Sequence, residues 1–91
     1  MEFEWDPRKA EINLKKHGVS FTEAGTIFGD ELAFTVSDPD HSDNEDRHIT
    51  IGWSDHRRLL IVSHTDRGDR IRIISARELT KTERKEYEET I

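Results

Sequence analysis

The 91-residue chain contains no cysteine. That excludes a disulfide framework and a thiolate metal site, and nothing ties the chain to an oxidising compartment, so the cytoplasm is the default location. Apolar residues are also scarce, at 32% against a usual ~45–50% that counts glycine as well. A fold of this length hides only about 60 to 65% of the surface its unfolded chain exposes, so it builds one small core. No apolar run approaches the roughly 20 residues that a membrane helix needs. The acidic start "MEFEWDPRK" lacks the apolar stretch of a signal peptide. Neither export by a signal peptide nor a membrane partner is expected. Scarce apolar residues with 37% charged ones can signal disorder, but here the apolar residues recur with clear periods, which disordered chains lack.

What the chain does have is charge, unevenly divided. Residues 1–46 carry 4 Lys/Arg and 12 Asp/Glu, net -8; residues 47–85 carry 10 and 5, net +5; the last six residues add -3, which restores the total of -6. A basic zone beside acidic ones suits a polyanion-binding face, whereas uniform acidity would argue against nucleic acid. A solvated surface of mixed charges explains the same division.

Periodicity places the elements. "EFEW" suits a short edge strand with Phe3 and Trp5 on one face. Asp6-Pro7 starts a helix and "KKHG" stops it at about residue 17, with Gly18 as the left-handed cap. Ser20-x-x-Glu23 reads as a capping box for a second, shorter helix with Phe21, Ala24 and Ile27 or Phe28 on its stripe, closed by Gly29. "LAFTV" reads as a strand, residues 37–46 as an acidic loop, and "RHITIGWS" as a strand with Ile49, Ile51 and Trp53 inward and His48, Thr50 and Gly52 outward. "RLLIVSHT" is a central strand covered on both faces. Strand "RIRIISAR" follows, with Arg70, Arg72 and Ile74 on one face and Ile71, Ile73, Ser75 and Arg77 on the other. The turns "SDHR" and "DRGD" join these strands as hairpins. Thr80-x-x-Glu83 then caps a third helix, "KTERKEYEE". The order β-α-α-β-β-β-β-α describes a small α+β domain with an antiparallel sheet over residues 1–91, without repeat, linker or second domain.

Three blocks, "FEWDPRKAEINLKKHGVSFTEA", "EDRHITIG" and "RIISARELTKTERKEYE", resemble the BrnT family of bacterial toxins in order and separation, over essentially the whole chain. The resemblance implies a RelE-like α+β fold and a ribonuclease activity that arrests translation. It also implies a BrnA-type antitoxin with a ribbon-helix-helix DNA-binding domain, whose complex with the toxin represses their own promoter, so that operator DNA is met only through that complex.

Metal-independent RNA cleavage needs a base for the 2′-OH proton, cations around the pentavalent phosphorane and an acid for the leaving oxygen. Arginine suits the second role, because its planar fork binds two phosphate oxygens and keeps its charge. Arg77 and Arg72 sit on a strand, a rigid mount for a scissile phosphate; the competing account of Arg77 is an ion pair with a loop acid. Glu45 and Arg47 form an E-x-R at the loop-to-strand junction, with a structural ion pair as the plainer explanation. His48 and His64 lie on strands and His17 ends a helix, so each is a candidate for proton transfer or substrate contact; lone strand histidines are more often packed. Lys16, beside His17, offers phosphate neutralisation or dipole complementation. On the third helix Lys81, Arg84 and Lys85 share a face, with Arg84 as the preferred substrate contact. Tyr87 could stack a base, act as an acid, or anchor the helix. Trp53 reads as core.

Asp38, Asp40, His41, Asp43 and Glu45 share one loop but lack the glycine and terminal glutamate spacing of a calcium site. No metal and no cofactor is expected. Taken with what the resemblance implies, these features are those expected of an endoribonuclease toxin whose general base the sequence leaves unassigned, with Arg77, Arg72, Arg84 and Arg47 as a phosphate cluster. The alternative is a non-catalytic module whose basic face binds only the antitoxin and supports promoter repression.

Overall fold

The computed structural model describes residues 1–38 and 46–90. Its elements are β1 (Glu2–Glu4), α1 (Pro7–His17), α2 (Phe21–Thr26), a 3-10 turn (Ile27–Gly29), β2 (Phe34–Ser37), β3 (Arg47–Trp53), β4 (Leu59–Arg67), β5 (Arg70–Glu78) and α3 (Lys81–Thr90). The strands form one sheet in the order β1-β5-β4-β3-β2. β2 to β5 pair antiparallel, but β1 lies parallel to β5, so the sheet is mixed and the antiparallel expectation needs that correction. α1, α2 and the 3-10 turn together carry the chain from β1 at one edge of the sheet to β2 at the other.

α1 forms where its caps direct it. Asp6 Oδ1 accepts from Arg8 N at 2.8 Å, Pro7 occupies the first turn, and Gly18, at φ 69°, donates its N–H to Leu14 O. α1 then replaces a strand. β1 ends at Glu4, opposite Arg72, and farther along β5 the buried Asn13 takes over. Its Nδ2 donates to Ala76 O at 2.8 Å, and its Oδ1 accepts from Ala76 N at 3.1 Å. A side-chain amide thus satisfies edge groups of the sheet that would otherwise be orphaned.

The core lies between the sheet and the first two helices. Val19, Phe21, Ala24, Ile27, Leu60, Val62, Ile73 and Ala76 form it, with Phe3, Trp5, Ala10 and Phe28 packed at its margin. Cross-strand partners share a face, so the register Thr50–Val62–Ala76 marks this helix-covered side.

That register reverses the expected faces of β3. His48, Thr50 and Gly52 face the helices, while Ile49, Ile51 and Trp53 lie on the opposite side. Gly52 belongs under the helices because a Cβ there would come within 2.8 Å of the Ala33 side chain. Thr50 is accommodated by hydrogen bonds: its Oγ1 lies 2.7 Å from His64 Nε2 and 2.6 Å from Thr35 Oγ1. Trp53 is accordingly no core residue.

β5 departs from strict alternation as well. The pairing steps from Ser63–Ser75 to His64–Ile73, a bulge that leaves Ile74 as the extra residue. Ile71, Ile73 and Ala76 therefore face the core, while Arg72, Ser75 and Arg77 all face the other way. The bulge moves Arg77 onto the same face as Arg72, which simple period-two counting does not do.

Candidate functional site

The face of the sheet turned away from α1 and α2 is open over much of its area, and cross-strand register arranges it in rows. Arg47, Thr65 and Arg72 are neighbours on β3, β4 and β5; the next row is Ile49, Ser63 and Ser75; the next is Ile51, Ile61 and Arg77. β2 adds Val36 beside Ile49 and Phe34 beside Ile51, and Val36 is 49% exposed. Apolar side chains on an uncovered sheet face break the usual inward rule, and such breaks mark places where a surface is used.

α3 closes only one end of this face. Tyr87 stacks on Phe34 with ring centroids 5.9 Å apart and planes 11° apart, and Arg84 Cζ lies 5.1 Å from the Trp53 ring. Beyond the helix a pocket of about 220 Å³ remains, lined by His17, Ile49, Ile61, Ser63, Ser75, Ala76 and Arg77. His17 reaches it from the end of α1, because the helix runs along the β5 edge that Asn13 completes.

Arg77 is held at the pocket wall by the cap of α3. Its Nη1 and Nη2 donate to Glu83 Oε1 and Oε2 at 2.7 and 3.0 Å, and Nη1 also donates to Glu78 O at 3.1 Å. Glu83 closes the capping box, accepting from Thr80 N at 2.8 Å while its own N–H donates to Thr80 Oγ1 at 3.2 Å. The Arg77 guanidinium, followed by the Thr80 N–H, holds the Glu83 carboxyl down at about 2. Arg77 is thus ion-paired, as its competing account held, but with a helix-cap glutamate rather than a loop acid. The end of the guanidinium faces Glu83, and no hydrogen bond from a described residue uses its Nε–H and second Nη2–H. Those two donors form a second fork, suited to a tetrahedral oxyanion.

This geometry can be compared with known proteins. A family model described as the ribonuclease toxin BrnT of type II toxin-antitoxin systems matches residues 5–83. The chain belongs to the BrnT family. A crystal structure of the ribonuclease toxin BrnT of Brucella abortus superposes with a TM-score of 0.70 at 23% identity, over 89% of this chain and 99% of that one. At that identity the match shows a shared α+β fold. No curated protein sequence matches the chain.

The other candidate residues of this BrnT chain scatter. Arg72 lies in the first row, where its Nη1 donates to Glu4 Oε2 at 3.1 Å, and Arg70 pairs with Glu2 at 3.4 Å. The parallel β1 therefore sets a carboxylate beside each of the first arginines of β5. Arg47 lies in the same row as Arg72. Lys16 borders a cleft of about 200 Å³ next to the His17–Arg77 pocket, with Lys9, Ile12, Asn13, His17, Ile74 and Ser75. Arg84 donates to Glu88 Oε1 at 3.1 Å while stacked on Trp53, and Lys81 is exposed at the start of α3.

His48 and His64 lie on the helix-covered side, opposite the arginines. His64 is 2% exposed, packs edge-on against Phe28 at 5.0 Å, and has its Nδ1 3.3 Å from Asp66 Oδ1 without the alignment of a hydrogen bond. Burial lowers its pKa, with Asp66 only partly opposing, so the ring stays neutral near pH 7. In this arrangement it reaches no substrate on the open face, and the same face reversal removes His48 from the arginine rows. Tyr87 is buried as the anchor of α3; burial, followed by the charge of Asp30, raises its pKa, which disfavours it as an acid. Asp40, His41, Asp43 and Glu45 lie outside the described residues; among the described ones, no group of three or more His, Asp or Glu side chains is arranged to hold a metal ion.

One cluster escaped the sequence reading. Glu23, 3% exposed, receives Arg58 Nε at 3.0 Å, Arg58 Nη2 and Ser54 Oγ at 2.7 Å, with His56 Nδ1 at 3.2 Å. Arg58 Nη2 also donates to Gly18 O at 3.0 Å. Half of the expected Ser20–Glu23 box forms, since Ser20 Oγ accepts from Glu23 N at 3.0 Å, but the Glu23 side chain turns inward to Arg58. The signal was a glutamate in a short apolar helix with an arginine in a hairpin turn, and only the tertiary fold pairs them.

Proposed function

We propose that this chain is an endoribonuclease toxin that cleaves RNA by attack of the substrate's own 2′-OH, without a metal or other cofactor, and so arrests translation. The observation that carries the reading is the pocket on the uncovered sheet face that His17, Ser63, Ser75 and Arg77 line together. Arg77 would hold the non-bridging oxygens as charge builds on the phosphorane, gaining strength as that charge grows. His17 is the histidine of that pocket, and it fits transfer of a proton to or from the 2′-OH or the leaving oxygen. Ser63 and Ser75 supply hydroxyl donors on the floor, and Ile49 and Ile61 supply an apolar bed for a sugar or base. Lys16 lies on the neighbouring rim, where it would counter phosphate charge. Arg47 and Arg72 prolong the cationic surface along the strands, and Arg84 and Lys81 prolong it past α3.

The same reading makes residues 1–91 one cytoplasmic toxin domain of RelE-like type. A BrnA-type ribbon-helix-helix antitoxin would neutralise it by covering the open face, and operator DNA would be bound through that complex. Support comes from family membership and from the exposed Val36 and half-buried Ile49, Ile51 and Ile61 of the face, which a partner would bury.

The test is a defined oligoribonucleotide incubated with the purified chain in excess EDTA, with product ends identified by mass spectrometry. Cleavage should persist and leave 2′,3′-cyclic phosphate or 3′-phosphate ends, and a 2′-deoxy residue at the scissile position should stop it. Activity that vanishes in EDTA and returns with magnesium, or products ending in 3′-hydroxyl, would overturn the mechanism and point to the acidic run 38–45 as a metal site.

A further inference from the structure

The row of Arg47, Thr65 and Arg72 lies outside the His17–Arg77 pocket but on the same open face, directly in register with it. On β4 the step from Ser63 to Thr65 is two residues, a rise of about 7 Å. Successive phosphates of an extended RNA strand are separated by about the same distance. A strand whose scissile phosphate sits over Ser63 and Ser75 therefore brings its neighbouring phosphate to this row.

The row sets two arginines beside one threonine: strands about 4.8 Å apart carry Arg47 and Arg72 on either side of Thr65, and the cleft at Thr65 is lined as well by Asp46, Asp66 and Arg67. Thr65 is 6% exposed, and its Oγ1 has no hydrogen-bond partner among the described residues. Buried hydroxyls are nearly always paired, so one left without a partner between two arginines marks an unused donor. Arg72 is positioned rather than consumed by its neighbour: Glu4 takes one Nη1 contact at 3.1 Å, and the remaining guanidinium donors can serve a second anion.

We propose that Arg47, Thr65 and Arg72 form a subsite for the phosphate next to the scissile one, so that the substrate is an extended single strand read along β4. This rests on the ribonuclease reading above. A protein carboxylate could use the same donors, but the one-nucleotide spacing from the pocket favours RNA. A base-paired A-form helix would not lie flat along a strand with these spacings.

The experiment compares kcat/KM for a dinucleoside monophosphate, which carries only the scissile phosphate, with the same dinucleotide extended by one 5′ or one 3′ phosphate. The unaltered protein should gain at least tenfold from one of the two extensions. Arg72→Ala and the near-isosteric Thr65→Val should bring that ratio close to one, and Arg72→Ala should flatten the plot of log kcat/KM against log salt by about 0.7. Arg77→Ala should slow both substrates and keep the ratio. Equal rates on all three substrates in the unaltered protein, or a ratio unchanged in both Arg72→Ala and Thr65→Val, would overturn the subsite. So would loss of antitoxin capture in Arg72→Ala with the RNA ratio intact, which would reassign the row to a protein partner. If no RNA is cleaved at all, the ribonuclease reading itself falls, and the subsite with it.

Discussion

Two arginine–glutamate pairs in this molecule have the same chemistry and opposite uses. Glu23–Arg58 lies on the helix-covered side, where the carboxylate is buried and nearly every donor around it is spent on α2, the β3–β4 turn and the end of α1. Glu83–Arg77 lies at the rim of the open face, with side chains about a third exposed, 34% and 38%, and it leaves two guanidinium donors unused by described residues beside a pocket that Arg77 lines. An ion pair enclosed by its own fold acts as a fastener. One that is half open can act as a mount, because the carboxylate fixes the arginine while its free side stays open to a ligand. Whether a charged pair is structural or functional is decided by the donors left over, not by the pairing.

Breaking the closed pair should have the largest effect. Glu23→Ala leaves Arg58 without its counterion and should lower stability by about 3 kcal/mol, the low end for a broken buried pair because Arg58 keeps some water. The midpoint of urea unfolding reads this directly, and a shift equivalent to less than 1 kcal/mol would show that the cluster is ornamental. The same pair sets an acid limit. Glu23 titrates at about 2 in the folded chain, against an ordinary 4.5, chiefly because Arg58 donates to it. Its contribution is therefore complete above about pH 5 and is lost as pH falls from there toward 2, on the order of 3 kcal/mol in all. Unfolding followed from pH 6 to pH 2 should show this decline, and Glu23→Gln should flatten it.

Breaking the open pair should instead cost activity. Arg77→Ala is expected to slow cleavage about 100-fold, the scale of removing one preorganised oxyanion donor, with growth arrest lost and stability changed by about 1 kcal/mol or less. Full toxicity in a well-expressed Arg77→Ala variant would end the assignment. Glu83→Gln sharpens the point. Glutamine can still close the capping box, so α3 should survive, but the neutral amide no longer anchors the guanidinium. A rate loss of about tenfold with near-normal stability is the expected result; no rate change would show that Arg77 needs no mount.

Local signals in the sequence were enough for the elements, and tertiary ones were needed for the faces. Asp6, Pro7 and Gly18 delimit α1 within the chain's own neighbourhood, and the observed helix spans Pro7–His17 as those caps dictate. The strand β3 shows the opposite case. Its alternation identifies two sets of residues, but which set meets the helices depends on Gly52 against Ala33 and on Thr50 with His64, contacts far apart in sequence. The bulge at Ile74 is likewise invisible to a period-two count, yet it decides that Arg72 and Arg77 share a face. Residue types were therefore legible while their convergence was not: His17 and Arg77, 60 positions apart, line one pocket because Asn13 holds α1 against the edge of β5.

The smallest effect is expected at Arg84, which stands between the two kinds of pair. It is about half exposed, bonded to Glu88 one turn along α3 and stacked on Trp53. An exposed cation–π contact contributes about 0.5–1 kcal/mol, and a helical i, i+4 pair adds about 0.3–0.5, so Arg84→Ala should cost about 1 kcal/mol of stability. Toward RNA it extends the cationic track past Arg77 without touching the pocket. Its loss should weaken binding uniformly across sequences, by less than about fivefold, and reduce the salt slope by about 0.7, as for one single-strand phosphate contact. Fluorescence anisotropy with a non-cleavable 2′-deoxy oligonucleotide over a salt series measures both quantities. A drop in kcat with unchanged affinity would contradict this division, because it would make Arg84 part of the chemistry and move the reacting phosphate toward Trp53 and away from Ser63 and Ser75.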